Sequence, residues 1–437
     1  MSWLNFFQTT SQCSISFGRG INASLNPEEE ELFNKSYQAF DEKRVIDGYE
    51  YFFQSLINFT DTNSNENIIL KREDNKLFFE IYQGSAKITG SINDEQLNAE
   101  VTIVKKENAS VALKRYVLER NYQLTYTNYF SDSNSIKLKL YLDNITMSPQ
   151  KIFFPLRELA LNADFDKEHI MSEFPEISLE GIEHIKEVNK DELKIKYEFL
   201  KSSIRELENH VLTLPTNDNA GMQAFSYLNI LFKFDYLLVP KYKIYQKLSK
   251  KIQTYFSDEG STIESKNEDL KKYVLRLNEY SFEEFSQNFY SAKYTFNLIE
   301  KSSYEELVTF INESLNKIKW YKKNRYPQII PTIYQYIAFY ALYNYVINSV
   351  VKELLHTLVI IHNATYFDSL KCEKFYDKEK QLLLKRPIVS KIEEIVKNNQ
   401  EKYKNLYIES DDLNFASLNE FNYSYFSMLK NLDFEEL

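Results

Sequence analysis

Residues that punctuate a chain are scarce here: 437 residues hold only 8 Gly and 9 Pro. Gly supplies left-handed turns and Pro stops helices, so the shortage argues against a turn-rich chain and suits long helices. Cysteine is nearly absent. Cys13 and Cys372 stand far apart, which excludes a disulfide framework and a zinc quartet and fits a reducing cytosol. The opening MSWLNFFQTTSQCS has neither a basic n-region nor a long apolar run, so no signal peptide is read and a cytoplasmic location is expected. A P-loop, G-x-S-x-G and H-E-x-x-H are all missing, which removes the common phosphate, nucleophile and zinc signatures. Positive charge is in deficit as well. The net charge of −10 repels phosphate backbones and anionic membranes over the chain as a whole.

What is present is aromatic. The 33 Tyr and 32 Phe predict an aromatic-rich core, and 43% hydrophobic with 27% charged residues is a globular balance. The abundance of Asn, Lys, Ile and Tyr also matches the codon bias of an AT-rich genome. A chain of this length exceeds one typical core, so two domains are expected.

The pattern divides the chain. Asn26-Pro27-Glu28 reads as a helix start, and spaced aromatics carry that helix through Phe33, Tyr37, Phe40, Tyr49, Phe52, Phe53 and Leu56. Residues 13–17 form a possible short strand. Short β-branched or aromatic runs follow at 68–70, 76–82, 86–92 and 97–104, broken by Asp74-Asn75, Gly84-Ser85 and Asn93-Asp94, which predicts an antiparallel meander. A helix over 110–121, two strands over 123–130 and 136–142, and a helix over 149–163 complete the unit. Ile136, Leu138, Leu140 and Leu142 alternate with Lys137, Lys139 and Tyr141, so one face is buried and the other is wet. Residues 167–192 read as a connector. From 193 to 437 almost everything is helical, with helices expected over 193–212, 220–239, 242–256, 267–279, 282–300, 304–322, 331–362 and 374–404. No convincing repeat of about 34 or 40 residues is found. The expected class is α+β: an antiparallel-sheet domain over 1–166, in the order α-β-β-β-α-β-β-α, then an all-α irregular helical bundle.

Four features resemble sites. Gly18-Arg19-Gly20-Ile21-Asn22-Ala23 matches the letters of a dinucleotide fingerprint, but the next helix opens on glutamates and no βαβ alternation follows, so a plain loop is expected. Glu353-x-x-His356 is half of a di-iron motif; neither His210 nor His362 has a Glu three residues before it, so structural histidines are expected and no metal or cofactor. Trp320-Tyr321-Lys322-Lys323-Asn324-Arg325-Tyr326 interleaves aromatic and basic residues as nucleic-acid surfaces do, yet on an acidic chain it reads as a solvated helix end. Residues 326–351 carry no charge and could span a bilayer by length, but Gln328, Gln335, Asn344 and Asn348 favour a buried helix.

The stretches Phe78-Phe79-Glu80-Ile81-Tyr82-Gln83-Gly84 and Tyr116-Val117-Leu118-Glu119-Arg120-Asn121-Tyr122-Gln123-Leu124 resemble the YbjN and type III secretion chaperone-like family over residues 27–163. Lys151 to Ala163 sits where that family has its closing helix, and Ser16-Phe17-Gly18-Arg19 looks like the start of longer YbjN-containing bacterial proteins. The resemblance implies a non-enzymatic domain that binds a protein partner or client peptide, often as a homodimer. It assigns no catalytic, cofactor or metal residues, and the helical half is a departure from the family's small chaperones. The expected function is therefore protein binding, chaperone-like or regulatory. The alternatives are an enzyme with its site between the halves and a nucleic-acid- or membrane-associated protein.

Overall fold

A computed structural model describes residues 17–18, 25–57, 67–217, 219–297 and 302–435. The possible strand at 13–17 and the letters Arg19 to Ala23 fall outside these residues, apart from Phe17. The chain's first described helix is α1 (Pro27–Asp41), entered through a reciprocal cap in which Asn26 Oδ1 accepts from Glu29 N–H at 2.9 Å and Glu29 accepts from Asn26 N–H at 2.8 Å. The single helix expected over 27–56 breaks at Lys43, whose φ is +61°, and turns back as α2 (Val45–Gln54). The fold-back explains Gly48: a Cβ there would meet the Phe40 ring at 2.8 Å.

Six strands follow in one antiparallel sheet: β1 (Ile68–Glu73), β2 (Lys76–Gln83), β3 (Ala86–Ile92), β4 (Gln96–Lys105), β5 (Thr127–Ser131) and β6 (Ser135–Asp143). Their spatial order is β1-β2-β3-β4-β6-β5. Helix α3 (Val111–Arg120) links β4 to the edge strand β5, and α4 (Pro149–Glu173) closes the unit. Helix α4 runs ten residues beyond the expected end at Ala163. One sheet face, with Leu77, Phe79, Ile81, Val101 and Leu138, packs on Phe52, Phe53, Ile152, Leu156 and Leu159 of the helices. The other face has no helix laid on it among the described residues. An antiparallel-sheet region followed by a helical region is the α+β class that the residue pattern predicts, but the expected order α-β-β-β-α-β-β-α is corrected: two helices and four strands precede α3.

The helical region comprises α5 (Lys190–Leu212), α6 (Ala220–Leu238), α7 (Tyr242–Ser257), α8 (Ile263–Glu279), α9 (Phe282–Ser286) and α10 (Tyr304–Lys323). It continues through α11 (Ile330–Asn344), α12 (Ser349–His362), α13 (Ala364–Ser369), a small hairpin of β7 (Tyr376–Asp377) and β8 (Leu382–Leu383), α14 (Lys385–Asn399) and α15 (Leu418–Leu429). Its hydrophobic core is separate from that of the sheet region.

Three expected helices are corrected. The helix over 331–362 splits into α11 and α12: Asn348 caps α12 by accepting from Val351 N–H, and the freed Val346 carbonyl accepts from Ser302 N–H at 3.1 Å. Among the described residues no helix is long and apolar enough to cross a membrane. The start of the helix over 374–404 is replaced by the β7–β8 hairpin, turned at Gln381 with φ +50°. Cysteine usage is corrected too. Cys372 is disulfide-bonded, so the two cysteines no longer argue for a reducing compartment; Cys13 lies outside the described residues.

The third correction matters most. The helix expected over 282–300 stops at Ser286; after a turn at Gln287 and Asn288, residues 289–297 carry no helix and run back onto the sheet region. Ser291 bridges Lys186, and Lys293 O accepts from Gly84 N–H at 2.8 Å. Gln83, fully buried at the end of β2, receives Thr295 N–H at 3.0 Å and Phe296 N–H at 2.8 Å on its carbonyl, and donates to Phe296 O at 3.2 Å. This side chain substitutes for a strand partner. Gln83→Leu strands all three backbone groups, and a loss of about 3 kcal/mol is expected in urea unfolding; a loss within about 0.5 kcal/mol of zero contradicts this role.

Candidate protein interface on the open face of the sheet

The register of the strands builds a trough on the uncovered face. Phe78 on β2 lies opposite Ser91 on β3, Ser91 opposite Asn98 on β4, and Asn98 opposite Tyr141 on β6. Two large rings therefore flank two small polar side chains, with Tyr126 adding to the Tyr141 wall. Phe78 and Tyr141 are three strand spacings apart, about 14 Å. The concavity between them is about 640 Å³. Phe78 is 37% and Tyr141 60% exposed, high for aromatic residues that would otherwise bury large areas.

The next row gives the trough a charged flank. Glu100 accepts from Lys137 at 2.7 Å and pairs with Lys139 at 3.3 Å, and Lys139 lies 4.6 Å from the Phe130 ring centre. Asp132 also pairs with Lys137 at 3.6 Å, so two acids meet two bases, and apolar contact and side-chain hydrogen bonds dominate what the face offers. Gly90 is required beneath it: a Cβ would strike the Phe79 ring at 2.2 Å and Asn98 O at 2.6 Å.

The neighbouring edge, by contrast, is sealed. An edge strand exposes every second N–H. On β5 and its lead-in, Glu158 accepts from Thr125, Tyr126 and Thr127 N–H, the last at 2.9 Å. Asn121 Oδ1 takes Tyr129 N–H at 2.6 Å. Behind them the buried Asp166 accepts from Tyr116 Oη at 2.6 Å, Tyr129 Oη at 2.5 Å and Arg120 at 2.8 Å, fixing α3 and β5 to α4. Strand addition at β5 is blocked, so a partner meets the face rather than this edge.

The motifs singled out in the sequence are dispersed. Gly18 has φ +72° and donates to Tyr236 O. His356 is buried between the Phe17 and Phe367 rings with Nδ1 2.9 Å from Tyr236 Oη, and burial holds it down at about 4. His362 contacts Asn422 Oδ1 at 2.9 Å and His210 contacts Thr332 at 3.3 Å. Among the described residues no three metal-ligating side chains gather. Trp320 to Tyr326 forms the end of α10 and its exit, with Trp320 stacked on Tyr326 and exposed.

Pattern reasoning missed a second cluster, at the seam of the two halves. Asp164 of α4 accepts from Ser85 N–H at 2.6 Å and Oγ–H at 2.8 Å, and Glu168 accepts from Tyr290 Oη at 2.7 Å. Lys241 lies beside them, hydrogen-bonded to Tyr294. Burial, then the charge of Glu168, raises the Asp164 carboxyl from 3.8 to about 7. The folded state thus holds this proton more tightly than the unfolded chain. The contribution is full below 3.8 and is lost as pH rises through about 7. Asp164→Asn keeps an acceptor for Ser85, and calorimetry should find that it flattens the fall in Tm across this window; an unchanged pH profile contradicts the assignment.

No protein-family model matches the chain, and no curated protein matches its sequence.

Proposed function

We propose that this chain is a non-catalytic protein-binding module, an adaptor or chaperone-like holder. It receives an extended segment of a partner protein in the trough between Phe78 and Tyr141. The observation that supports this reading is the pairing of an uncovered, aromatic-walled sheet face with a sealed β5 edge. Such a surface favours apolar side chains seated between the two walls, with Ser91 and Asn98 free to bond the segment's backbone. The group of Glu100, Asp132, Lys137 and Lys139, two acids with two bases, sets no strong charge requirement. The likeness of residues 27–163 to secretion chaperones points the same way, and the helical half serves as a second platform.

The test is selection of displayed peptides on the purified chain. Enriched sequences should carry a large apolar residue and bind with a Kd in the micromolar range. No enrichment, or enrichment of purely charged peptides, contradicts the proposal.

A further inference from the structure

A second concavity, of about 620 Å³, opens in the helical half between α5, α6, α11, the α12–α13 junction and the β7–β8 hairpin. This is within the range of small-molecule sites. Its wall holds a cation without a counter-ion. Lys233 of α6 has no hydrogen bond or ion pair among the described residues, and Glu206, the acid that acts on it, pairs instead with Lys378 at 3.5 Å. The ammonium is largely withdrawn from water, which pulls its pKa down to about 8. A buried charge left in this state is costly unless something binds it. From α11, Gln335 contributes a buried carbonyl oxygen, Oε1, that likewise has no partner among the described residues. The Phe199 and Tyr366 rings, 4.2 Å apart, supply an apolar wall.

We infer that this cavity binds a small organic monocarboxylate carrying a hydroxyl or amino donor, with its carboxylate on Lys233 and its donor on Gln335 Oε1. Each ligand group answers one unsatisfied group of the wall. Two cations, Lys233 and Lys378, and two acids, Glu198 and Glu206, line the cavity, and this absence of net positive charge disfavours polyanions such as nucleotides. The ring pair receives the apolar remainder.

The experiment is ligand-observed NMR and calorimetry with a panel of hydroxy and amino monocarboxylates, each beside its analogue lacking the donor. The donor-bearing acid should bind, and its analogue more weakly. Lys233→Met should weaken binding about tenfold or more, with Tm unchanged or raised because an unpaired cation is removed. Gln335→Met should abolish the preference for the donor. Labelling of wild-type Lys233 by an amine-reactive ester, read by mass spectrometry, needs no variant, and the bound acid should protect this lysine. Failure of every panel member to bind overturns the inference. So does undiminished binding by Lys233→Met, or binding that leaves Lys233 unprotected.

Discussion

Phe296→Ala is expected to lower the stability of the sheet region by about 3–5 kcal/mol, the cost of emptying an aromatic site in a close-packed core. Phe296 comes from the strap that leaves the helical half, yet it is 1% exposed within the core of the sheet region and stands edge-on to Phe153 at 5.6 Å. Its backbone is held by Gln83, and beside it Arg157 donates to Asn297 O at 3.0 Å. The loss should also change the form of unfolding. With the strap anchored, the two cores melt together; without it, calorimetry should resolve two transitions, the sheet region first. Phe154→Ala is the control, because Phe154 is half exposed and its removal should cost less than about 1 kcal/mol. Equal effects of the two substitutions would contradict the strap's role.

The second large effect concerns binding. Phe78→Ala with Tyr141→Ala should weaken a selected peptide by about thirtyfold or more, since aromatic anchors at the centre of an interface contribute about 2 kcal/mol each and combine imperfectly. The folded state should hardly notice. Both rings point away from the core and are exposed, so the cost to stability should stay near about 0.5–1 kcal/mol. A binding loss accompanied by a large fall in Tm would identify these rings as structural. A loss at constant Tm locates the partner on the open face.

Much of the sheet region was legible because its signals are local. Alternation placed Leu138 and Leu140 inward and Lys137, Lys139 and Tyr141 outward, and Gly84-Ser85 marked the β2–β3 turn. The fold class followed from these runs. The trough was not legible, because it depends on which strands become neighbours: Asn98 meets Tyr141 only when β6 inserts beside β4. The strap was misread for a related reason. Its aromatic spacing is also that of a helix face, and nothing near Phe296 in sequence reveals that Gln83 holds its backbone. Helix breaks at Lys43 and Tyr345 escaped notice because neither position carries Gly or Pro; Ser36 Oγ–H bonds Gly48 O across the first break, and Ser302 N–H bonds Val346 O at the second. Lys233 and Gln335 lie on different helices and carry no motif. Only packing brings them to one cavity.

The central claim, that a partner segment lies in the trough between Phe78 and Tyr141, is tested most directly by placing a photo-crosslinking residue at Asn98 and, separately, at Lys114 on α3. Each version is irradiated with a selected peptide and the products are mapped by mass spectrometry. The account predicts a crosslink from position 98 that is lost with the Phe78→Ala and Tyr141→Ala pair, and none from position 114. Crosslinking from 114 rather than 98, or from 98 undiminished by the pair, would contradict it.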